Sequence, residues 1–207
     1  MFNPAQMLAV QERERSLLEM LVRFGWSDSL QSARVLEIGC GAGFWLREFL
    51  RWGARPENLN GIDLLPERIA DAKRLCPSGT TLLCQSAAEM HNFSGNFDLV
   101  LQSTVFSSIL DAQMKRQVAT EMLRLLSPAG LIIWYDFNIS NPSNRDVRGI
   151  SRKEIIELFP RCHIHLKRLT LAPPIGRPIA RVSHSLYTAL STVKLLNTHY
   201  LGIIRRV

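Results

Sequence analysis

The chain has 207 residues, of which 46% are hydrophobic and 21% charged, and its formal net charge is +7. This composition is typical of a globular domain and excludes a disordered or collagen-like chain. No run of 18 apolar residues is present, and the first 15 residues carry polar and acidic side chains. Neither a membrane span nor a secretory signal is therefore predicted, and we expect one cytoplasmic domain over residues 1–207.

The cysteines give no sign of a metal or disulfide framework. The four of them, Cys40, Cys76, Cys84 and Cys162, form no C-x-x-C pair and no metal-ligand spacing. We expect four reduced, buried thiols and no bound metal.

The first predicted element is a helix over residues 5–25. Apolar residues recur there at close to 3.6-residue spacing, which predicts an amphipathic helix with a buried stripe. The charged run of residues 12–15 interrupts that stripe and is expected on the exposed face.

A glycine-rich turn follows the first predicted strand. The apolar residues 34–38 lead into Gly39, Gly41 and Gly43, after which helical spacing continues to about residue 52. Strand, glycine turn and helix in this order are typical of nucleotide-binding units, because glycine allows positive φ and close approach of the backbone to a ligand. A dinucleotide fingerprint would need glycine at position 44, where phenylalanine stands.

The segment Val35–Gly43, with an acidic residue inside the strand, resembles motif I of the class I S-adenosylmethionine-dependent methyltransferases. The resemblance implies a Rossmann-like α/β fold with seven strands, mostly parallel with an antiparallel last strand, and helices on both faces. It also implies S-adenosylmethionine as cofactor, S-adenosylhomocysteine as product, and a helical cover formed by residues 1–30. The cofactor-binding residues that it assigns within this segment are Glu37, Gly39, Cys40, Gly41 and Gly43.

The second predicted strand, residues 59–64, has an acidic residue near its end. Asp63 lies 24 positions after Gly39, close to the spacing of about 20 that is usual for a ribose-binding acid. The resemblance assigns Asp63 to the two ribose hydroxyls and Leu64 to the adenine ring. A role for Asp63 in capping the helix that begins at Pro66 is the alternative.

The third and fourth predicted strands, residues 81–84 and 97–103, supply further sites that the resemblance implies. Ser86 stands where family members usually have aspartate facing the adenine amino group, and a hydroxyl still accepts that hydrogen bond. The backbone N–H of Ala87 is expected at the adenine ring and the backbone carbonyl of Gln102 at the methionine amine. Phe106 is expected to line the methyl-transfer site.

The C-terminal half begins with a helix over 112–126, a turn over 127–130 and a fifth strand over 131–135. The L-x-P-x-G pattern at this turn extends the resemblance. A polar loop over 136–144 then follows the carboxyl end of the fifth strand, where open α/β sheets bind ligands.

The last part is predicted to contain a helix that Ser151 caps, strands over 163–171 and 200–204, and an insertion over 173–196. The insertion is predicted to be an amphipathic helix that forms a cap above the substrate side. Its predicted apolar face consists of Ile179, Val182, Leu186, Leu190 and Val193.

Positive charge is concentrated at the C-terminal end. Residues 145–207 hold twelve Lys or Arg and three acidic residues, so that segment carries +9 and the rest of the chain −2. This asymmetry indicates an anionic acceptor or an acidic surface, with a solvated basic face as the alternative. Arg177, Arg181 and His184 are the candidate substrate-binding residues.

Methyl transfer is an in-line displacement that depends on proximity and alignment, although a hydroxyl acceptor also benefits from a general base. Asp136, at the end of the fifth strand, and His199, before the last strand, are the candidate bases. His163 and His165 share one strand face, but no third ligand has suitable spacing, so a structural role is preferred.

The predicted function is methyl transfer from S-adenosylmethionine to a small-molecule or glycan-type acceptor, at oxygen and with an anionic acceptor. One rival is an RNA methyltransferase that uses residues 145–207. Because Tyr187 and Tyr200 are the only aromatic residues over 173–204 for base stacking, nucleic acid is not expected as a partner. The other rival is a non-catalytic cofactor-binding protein that lies on a membrane through residues 177–196. Peripheral membrane contact and the oligomeric state are left open.

Overall fold

A computed structural model describes residues 3–27, 30–140 and 144–207. The strands are β1 Val35–Ile38, β2 Leu59–Asp63, β3 Thr81–Cys84, β4 Phe97–Ser103, β5 Leu126–Phe137, β6 Cys162–Leu171 and β7 Asn197–Arg206. The helices are α1 Pro4–Arg23, α2 Phe44–Arg51, α3 Pro66–Leu75, α4 Ala112–Leu125, α5 Arg152–Leu158, α6 Pro173–Val182 and α7 His184–Ser191. Residues 1–2, 28–29 and 141–143, which fall in the predicted cover and the predicted polar loop, lie outside the described residues.

The seven strands form one sheet in the order β3-β2-β1-β4-β5-β7-β6. Strands β3, β2, β1, β4 and β5 pair in parallel, and β7 runs antiparallel to both β5 and β6. The predicted fold class is confirmed. The carboxyl ends of β1, β2, β4 and β5 meet at one edge, here called the carboxyl edge, and their starts form the amino edge.

Helices cover both faces of the sheet. One core cluster joins α1, α2 and α3 to the sheet, with Leu17, Leu46 and Ile69 among its members. The other joins α4 and α5 to the opposite face through residues such as Val118 and Ile155. Because both faces are covered, β1 is buried along its whole length, as parallel strands usually are.

Strands β5 and β7 are longer than predicted. The segment 127–130, predicted as a turn, is part of β5, where the pairing with β4 shifts between Phe97 and Leu99. A local bulge of this kind lets the chain pass from helix α4 into the sheet without a separate turn. Strand β7 begins at Asn197 because it pairs with β6 on one side as well as with β5 on the other.

The insertion between β6 and β7 contains two helices rather than the single helix that was predicted. The chain is extended at Ser183, whose hydroxyl accepts a hydrogen bond from the Leu186 N–H and caps α7. This break changes the helical phase, so the predicted apolar face is only partly correct: Ile179 and Leu190 pack inward, whereas Val182 is 86% exposed and Leu186 is 49% exposed. Ala180 and Tyr187 instead pack in a small cluster with Ala5 of α1.

The insertion leaves and re-enters the sheet at the carboxyl edge. The last pair of the β6–β7 ladder is Leu171 with Asn197, and His199 lies opposite Phe137 at the end of β5. Helices α6 and α7 therefore connect strands at the carboxyl edge, and their role as a cap over the acceptor stays a prediction.

Two smaller expectations concern the thiols and the membrane. Cys40 and Cys76 are buried, but Cys84 is exposed and Cys162 half-buried, so the prediction of four buried thiols is wrong. Within the described residues, every helix is too short or too polar to cross a bilayer.

Candidate functional site

The glycine loop at the carboxyl edge depends on backbone conformations that favour glycine. Gly39, Gly41 and Gly43 have φ values of +66°, +52° and +73°. A Cβ atom at Gly39 would lie 2.5 Å from Cγ2 of Val105, and one at Gly43 would lie 2.5 Å from Sγ of Cys76. Gly39 and Gly43 are thus packed tightly against these two side chains, and a larger residue would not fit at either position.

Gly41 differs from the other two because a Cβ atom there would meet nothing within 4 Å. The outer side of the loop is therefore open at its centre. Open space in front of a glycine-rich backbone, at the start of helix α2, suits a nucleotide-like ligand that must approach the main chain closely.

Asp63 at the end of β2 connects this loop to the next one. Its Oδ2 accepts a hydrogen bond from the Gly41 N–H at 2.9 Å, and its Oδ1 accepts one from the Leu65 N–H at 3.0 Å. A carboxylate has about four acceptor positions, so both oxygens keep capacity for ligand hydroxyls. The predicted ribose role and the alternative role of bracing the start of α3 are compatible.

Leu64 follows Asp63 directly and is 65% exposed. An exposed leucine beside an acceptor carboxylate gives an apolar surface next to a polar one, which is what the adenine and ribose of S-adenosylmethionine need. These residues therefore fit the cofactor that the sequence resemblance implies.

Ser86 and Ala87 are half-buried in the loop after β3. The Ser86 hydroxyl oxygen accepts a hydrogen bond from the Ala88 N–H at 3.2 Å, which makes the loop turn locally. The hydroxyl retains its own proton as a donor. Both residues stay predicted adenine contacts.

Glu37 lies beneath the loop rather than on its open side. It is 2% exposed, and its Oε2 has no hydrogen-bond partner among the described residues. Burial raises its pKa well above the ordinary value, against the lowering effects of the Leu46 N–H and of the Arg13 and Arg47 charges. Cys40 is likewise buried, and its backbone N–H bonds to the Ile62 carbonyl at 2.8 Å.

Gln102 braces the turn that follows β4. The residue is fully buried, and its side-chain Oε1 accepts a hydrogen bond from the Val105 N–H at 3.1 Å. Val105 in turn is the residue that packs against Gly39. Gln102 therefore positions Val105 beside Gly39, a role that was not predicted from its place at the end of β4.

Asp136 is at the predicted strand end but is inaccessible as a base. Its exposure is 0%, its Oδ2 accepts a hydrogen bond from the Ser107 N–H at 3.1 Å, and its Oδ1 accepts one from the Phe137 N–H at 2.8 Å. Burial raises its pKa to about 6, while the hydrogen bonds oppose the shift. In the structure Asp136 holds the 3₁₀ turn Phe106–Ser108 against the end of β5, a position that disfavours the predicted role as a base.

His199 is also enclosed. Its ring stacks on Tyr135 with centroids 4.8 Å apart, lies 4.1 Å from the Phe137 ring, and shares a 3.0 Å hydrogen bond between Nδ1 and the Thr198 hydroxyl. Burial, together with the Arg13 charge, lowers its pKa to about 3. With 6% exposure it packs as a neutral aromatic residue, and this position disfavours its predicted role as a base.

The predicted substrate residues lie in two different environments. Phe106 is fully buried and packs on Trp134 with centroids 4.7 Å apart, so it belongs to the core rather than to an acceptor surface. Arg177, Arg181 and His184 are on α6 and α7, away from that core. Arg177 borders a small cleft of about 180 Å³ between the insertion and the start of α1.

Two arginines near the glycine loop were not predicted as site residues. Arg47 Nη1 donates a hydrogen bond to the Ala42 carbonyl at 2.6 Å and so fixes the loop from helix α2. Arg13 lies with its guanidinium carbon 4.7 Å from the Trp45 ring centroid and 4.7 Å from that of Tyr135.

The position of Arg13 corrects the expectation that residues 12–15 face solvent. Glu12 and Arg13 are half-buried and turn towards the sheet, and Glu12 Oε2 accepts a hydrogen bond from the Thr170 N–H at 3.2 Å. Helical periodicity gives no signal for such inward-facing charges, because it marks only apolar residues as buried.

The sequence matches one family model and is similar to a curated protein. Residues 35–130 match a family model described as a methyltransferase domain. The chain is also 30% identical over 121 residues to the secondary metabolism regulator laeA of Coprinopsis cinerea. That match covers 58% of this chain and 29% of the relative, so the chain spans less than a third of that protein's length.

Solved structures match over nearly the whole chain. An S-adenosylmethionine-dependent methyltransferase from Clostridium acetobutylicum has a TM-score of 0.69 at 14% identity, over 95% of this chain and 91% of the other. The N-methyltransferase NodS from Bradyrhizobium japonicum has a TM-score of 0.65 at 18% identity, over 94% and 97% of the two chains. At these identities the similarity establishes the fold.

Proposed function

We propose that this chain is a class I S-adenosylmethionine-dependent methyltransferase, which its methyltransferase-domain match over residues 35–130 and its fold support. We propose further that it methylates a small anionic acceptor at an oxygen atom that is already ionised at neutral pH. The acceptor class is a small molecule or a glycan-type compound. The single observation that carries the proposal is the burial of both candidate bases, with Asp136 at 0% and His199 at 6% exposure.

The cofactor half of the site is supported by the open glycine loop and by Asp63. Bound S-adenosylmethionine supplies an electrophilic methyl group on a sulfonium. Asp63 holds the loop through Gly41 and keeps acceptor capacity on both oxygens, and Leu64 offers an apolar surface beside it. These residues hold and orient, which is the main requirement of an in-line displacement.

The proposal of an ionised oxygen is supported by the enclosure of the two candidate bases. A neutral hydroxyl would need a base within hydrogen-bond reach. Asp136 is 0% exposed and accepts hydrogen bonds from two backbone N–H groups, and the His199 ring is enclosed between aromatic side chains. A carboxylate, or another oxygen that is ionised at neutral pH, is nucleophilic without either residue.

The anionic character of the acceptor is supported by the charge of the insertion. Residues 173–196 contain Arg177, Arg181 and Lys194 and no acidic residue. The two arginines are exposed, and the insertion lies at the carboxyl edge, where the glycine loop also lies. Exposed arginines beside the proposed site would raise the local concentration of an anionic acceptor.

Cofactor binding is tested by calorimetry with S-adenosylmethionine and S-adenosylhomocysteine on wild type and Asp63→Ala. The variant loses charge-assisted acceptors, so we expect affinity to fall about 10- to 150-fold, which corresponds to about 1.5–3 kcal/mol. Asp71→Ala, an exposed carboxylate of α3 that pairs with Arg74, is the matched control and should bind as wild type. Binding of NAD with no binding of S-adenosylmethionine would refute the proposal.

The acceptor is tested by incubating the protein with methyl-labelled S-adenosylmethionine and a panel of small carboxylates, phenols, alcohols and amines, and by identifying the product by mass spectrometry. We expect turnover on ionised oxygen acceptors, with a KM that rises in the Arg177→Gln/Arg181→Gln double variant while kcat stays unchanged. Arg116→Gln, an exposed arginine of α4, is the control. Turnover restricted to neutral alcohols or amines would overturn the assignment of an ionised oxygen.

A further inference from the structure

We propose a second binding site, specific for a phosphate group, in a cleft at the amino edge of the sheet. The cleft has a volume of about 480 Å³ and is lined by Arg23, Phe24, His163, Ile164, His165 and Arg205. It is called the basic cleft below. Nothing in the methyl-transfer site uses these residues.

The basic cleft is separated from the methyl-transfer site by the length of the sheet. His163 pairs with Arg205 near the start of β6, whereas the insertion leaves β6 after Leu171. Eight residues of strand at about 3.3 Å each place the two ends about 26 Å apart. A ligand in the basic cleft would therefore not touch the glycine loop.

The strand register and the end of α1 place the basic side chains of the cleft close together. His163 lies directly opposite Arg205 in the β6–β7 ladder, and Arg23 is in the last turn of α1. Phe24, just after that helix, also lines the basic cleft. Its ring centroid lies 5.8 Å from that of His165 and 5.7 Å from the Arg205 guanidinium carbon.

The charges in and around the basic cleft are predominantly of one sign. Its lining contains two arginines and two histidines and no carboxylate. Glu19 lies one turn before Arg23 on α1, and its Oε2 is 3.6 Å from the Lys167 ammonium group. Among the described residues, neither Arg23 nor Arg205 has a salt-bridge partner within 4.0 Å.

His165 lies in a positively charged environment, because burial and then the charges of Arg23 and Arg152 lower its pKa. Clustered like charges without counter-charges are unfavourable, and a bound anion relieves the repulsion. A bound anion would supply the counter-charge that this lining lacks.

The chemistry of the lining favours phosphate over a simple carboxylate. Two guanidinium groups and two imidazoles converge on one cleft, and guanidinium donors match the oxygen geometry of phosphate with paired hydrogen bonds. Phosphate also carries more charge and more acceptor oxygens than a carboxylate. The alternative is that charged residues on the edge strand β6 only prevent pairing with another sheet.

The test is calorimetric titration of the whole chain with inorganic pyrophosphate at low salt. We expect one binding event that weakens with added salt and that weakens about tenfold or more in the Arg23→Gln/Arg205→Gln double variant. Arg74→Gln/Arg116→Gln, which removes two exposed arginines elsewhere, is the control for net charge. Equal loss in the two double variants, or no binding to wild type, would overturn the proposal.

Two further arms identify the source of the phosphate and separate this site from the cofactor site. Affinity for S-adenosylmethionine should be the same in the Arg23→Gln/Arg205→Gln variant as in wild type, whatever the outcome of the proposed function; a loss of cofactor affinity would contradict a separate site. Flotation with phosphatidylglycerol vesicles, compared with phosphatidylcholine vesicles, distinguishes a lipid headgroup from a free phosphate compound. Vesicle binding that persists in the double variant would count against the basic cleft.

Discussion

The two halves of the carboxyl edge differ in how accessible their polar side chains are. In the β1–β2 half, a Cβ atom at Gly41 would face open space and Leu64 is 65% exposed beside Asp63. In the β5–β7 half, Asp136 and His199 occupy equivalent strand-end positions but are 0% and 6% exposed.

The difference arises from what lies above each half. Glycines at the end of β1 leave no side chain over the ligand side of the loop, so the edge stays open there. At the end of β5 the 3₁₀ turn Phe106–Ser108 lies over Asp136 on one face, and Arg13 of α1 lies over Tyr135 beside His199 on the other. A polar residue at the carboxyl edge can therefore contact a ligand only where no other element of the chain covers it.

The largest expected effect tests the open half. In Gly39→Ala the new Cβ would lie 2.5 Å from Val105 Cγ2 and the residue would keep a φ of +66°. We expect the free energy of unfolding to fall by about 2–5 kcal/mol, from backbone strain plus overpacking, in urea denaturation.

Gly53→Ala is the matched control for that change. Gly53 also has positive φ, at +97°, but a Cβ atom there meets nothing within 4 Å. It should lose only the backbone part, about 1–2 kcal/mol. Equal losses in the two variants would mean that the contact of Val105 with the loop does not shape the site.

The second prediction concerns the buried carboxylate. Asp136→Asn places an amide NH₂ against one of two backbone N–H donors, so we expect a loss of about 1–3 kcal/mol in stability with unchanged affinity for S-adenosylmethionine. If the variant instead kept normal stability and turned over roughly a hundredfold more slowly, Asp136 would be restored as a base.

The pH dependence of the same variant has a definite sign. Burial raises the pKa of Asp136 from 3.8 to about 6, so the folded state holds this proton more tightly than the unfolded state. The associated stability is complete below pH 3.8 and is lost as the pH rises to about 6. The stability difference between wild type and Asp136→Asn should therefore shrink over that range, and a difference that grows would contradict the raised pKa.

The smallest effect at neutral pH is expected for His199→Gln. Loss of the aromatic stack should cost about 0.5–1.5 kcal/mol at neutral pH. Because burial lowers the pKa of His199 from 6.5 to about 3, its contribution is present above pH 6.5 and is lost as the pH falls towards 3. Wild type should thus lose more stability than the variant in this acid range. An inflection in the turnover rate near pH 6.5 that disappears in His199→Gln would show instead that the ring titrates in catalysis.

The sheet itself was largely predictable because its signals are local. Strand–glycine–helix order, the apolar runs and the Ser151 cap predicted the parallel strands and most helix boundaries, and the Ser151 hydroxyl does accept the Glu154 N–H at 3.1 Å. The errors lie where packing overrides local pattern. The helix predicted over the insertion breaks at Ser183, and the turn predicted over 127–130 is a bulge within β5, between the Phe97–Leu126 and Leu99–Leu131 pairs.

In the site, the sequence by itself determined the backbone of the proposed cofactor site: the three glycines with positive φ and Asp63 at the end of β2. These roles depend on a few neighbouring residues, so a short motif specifies them. Only the tertiary structure decided which polar side chains stay accessible, because exposure depends on elements far apart in the chain. Arg13 meets Tyr135, and Ser107 meets Asp136, through contacts that no local spacing encodes.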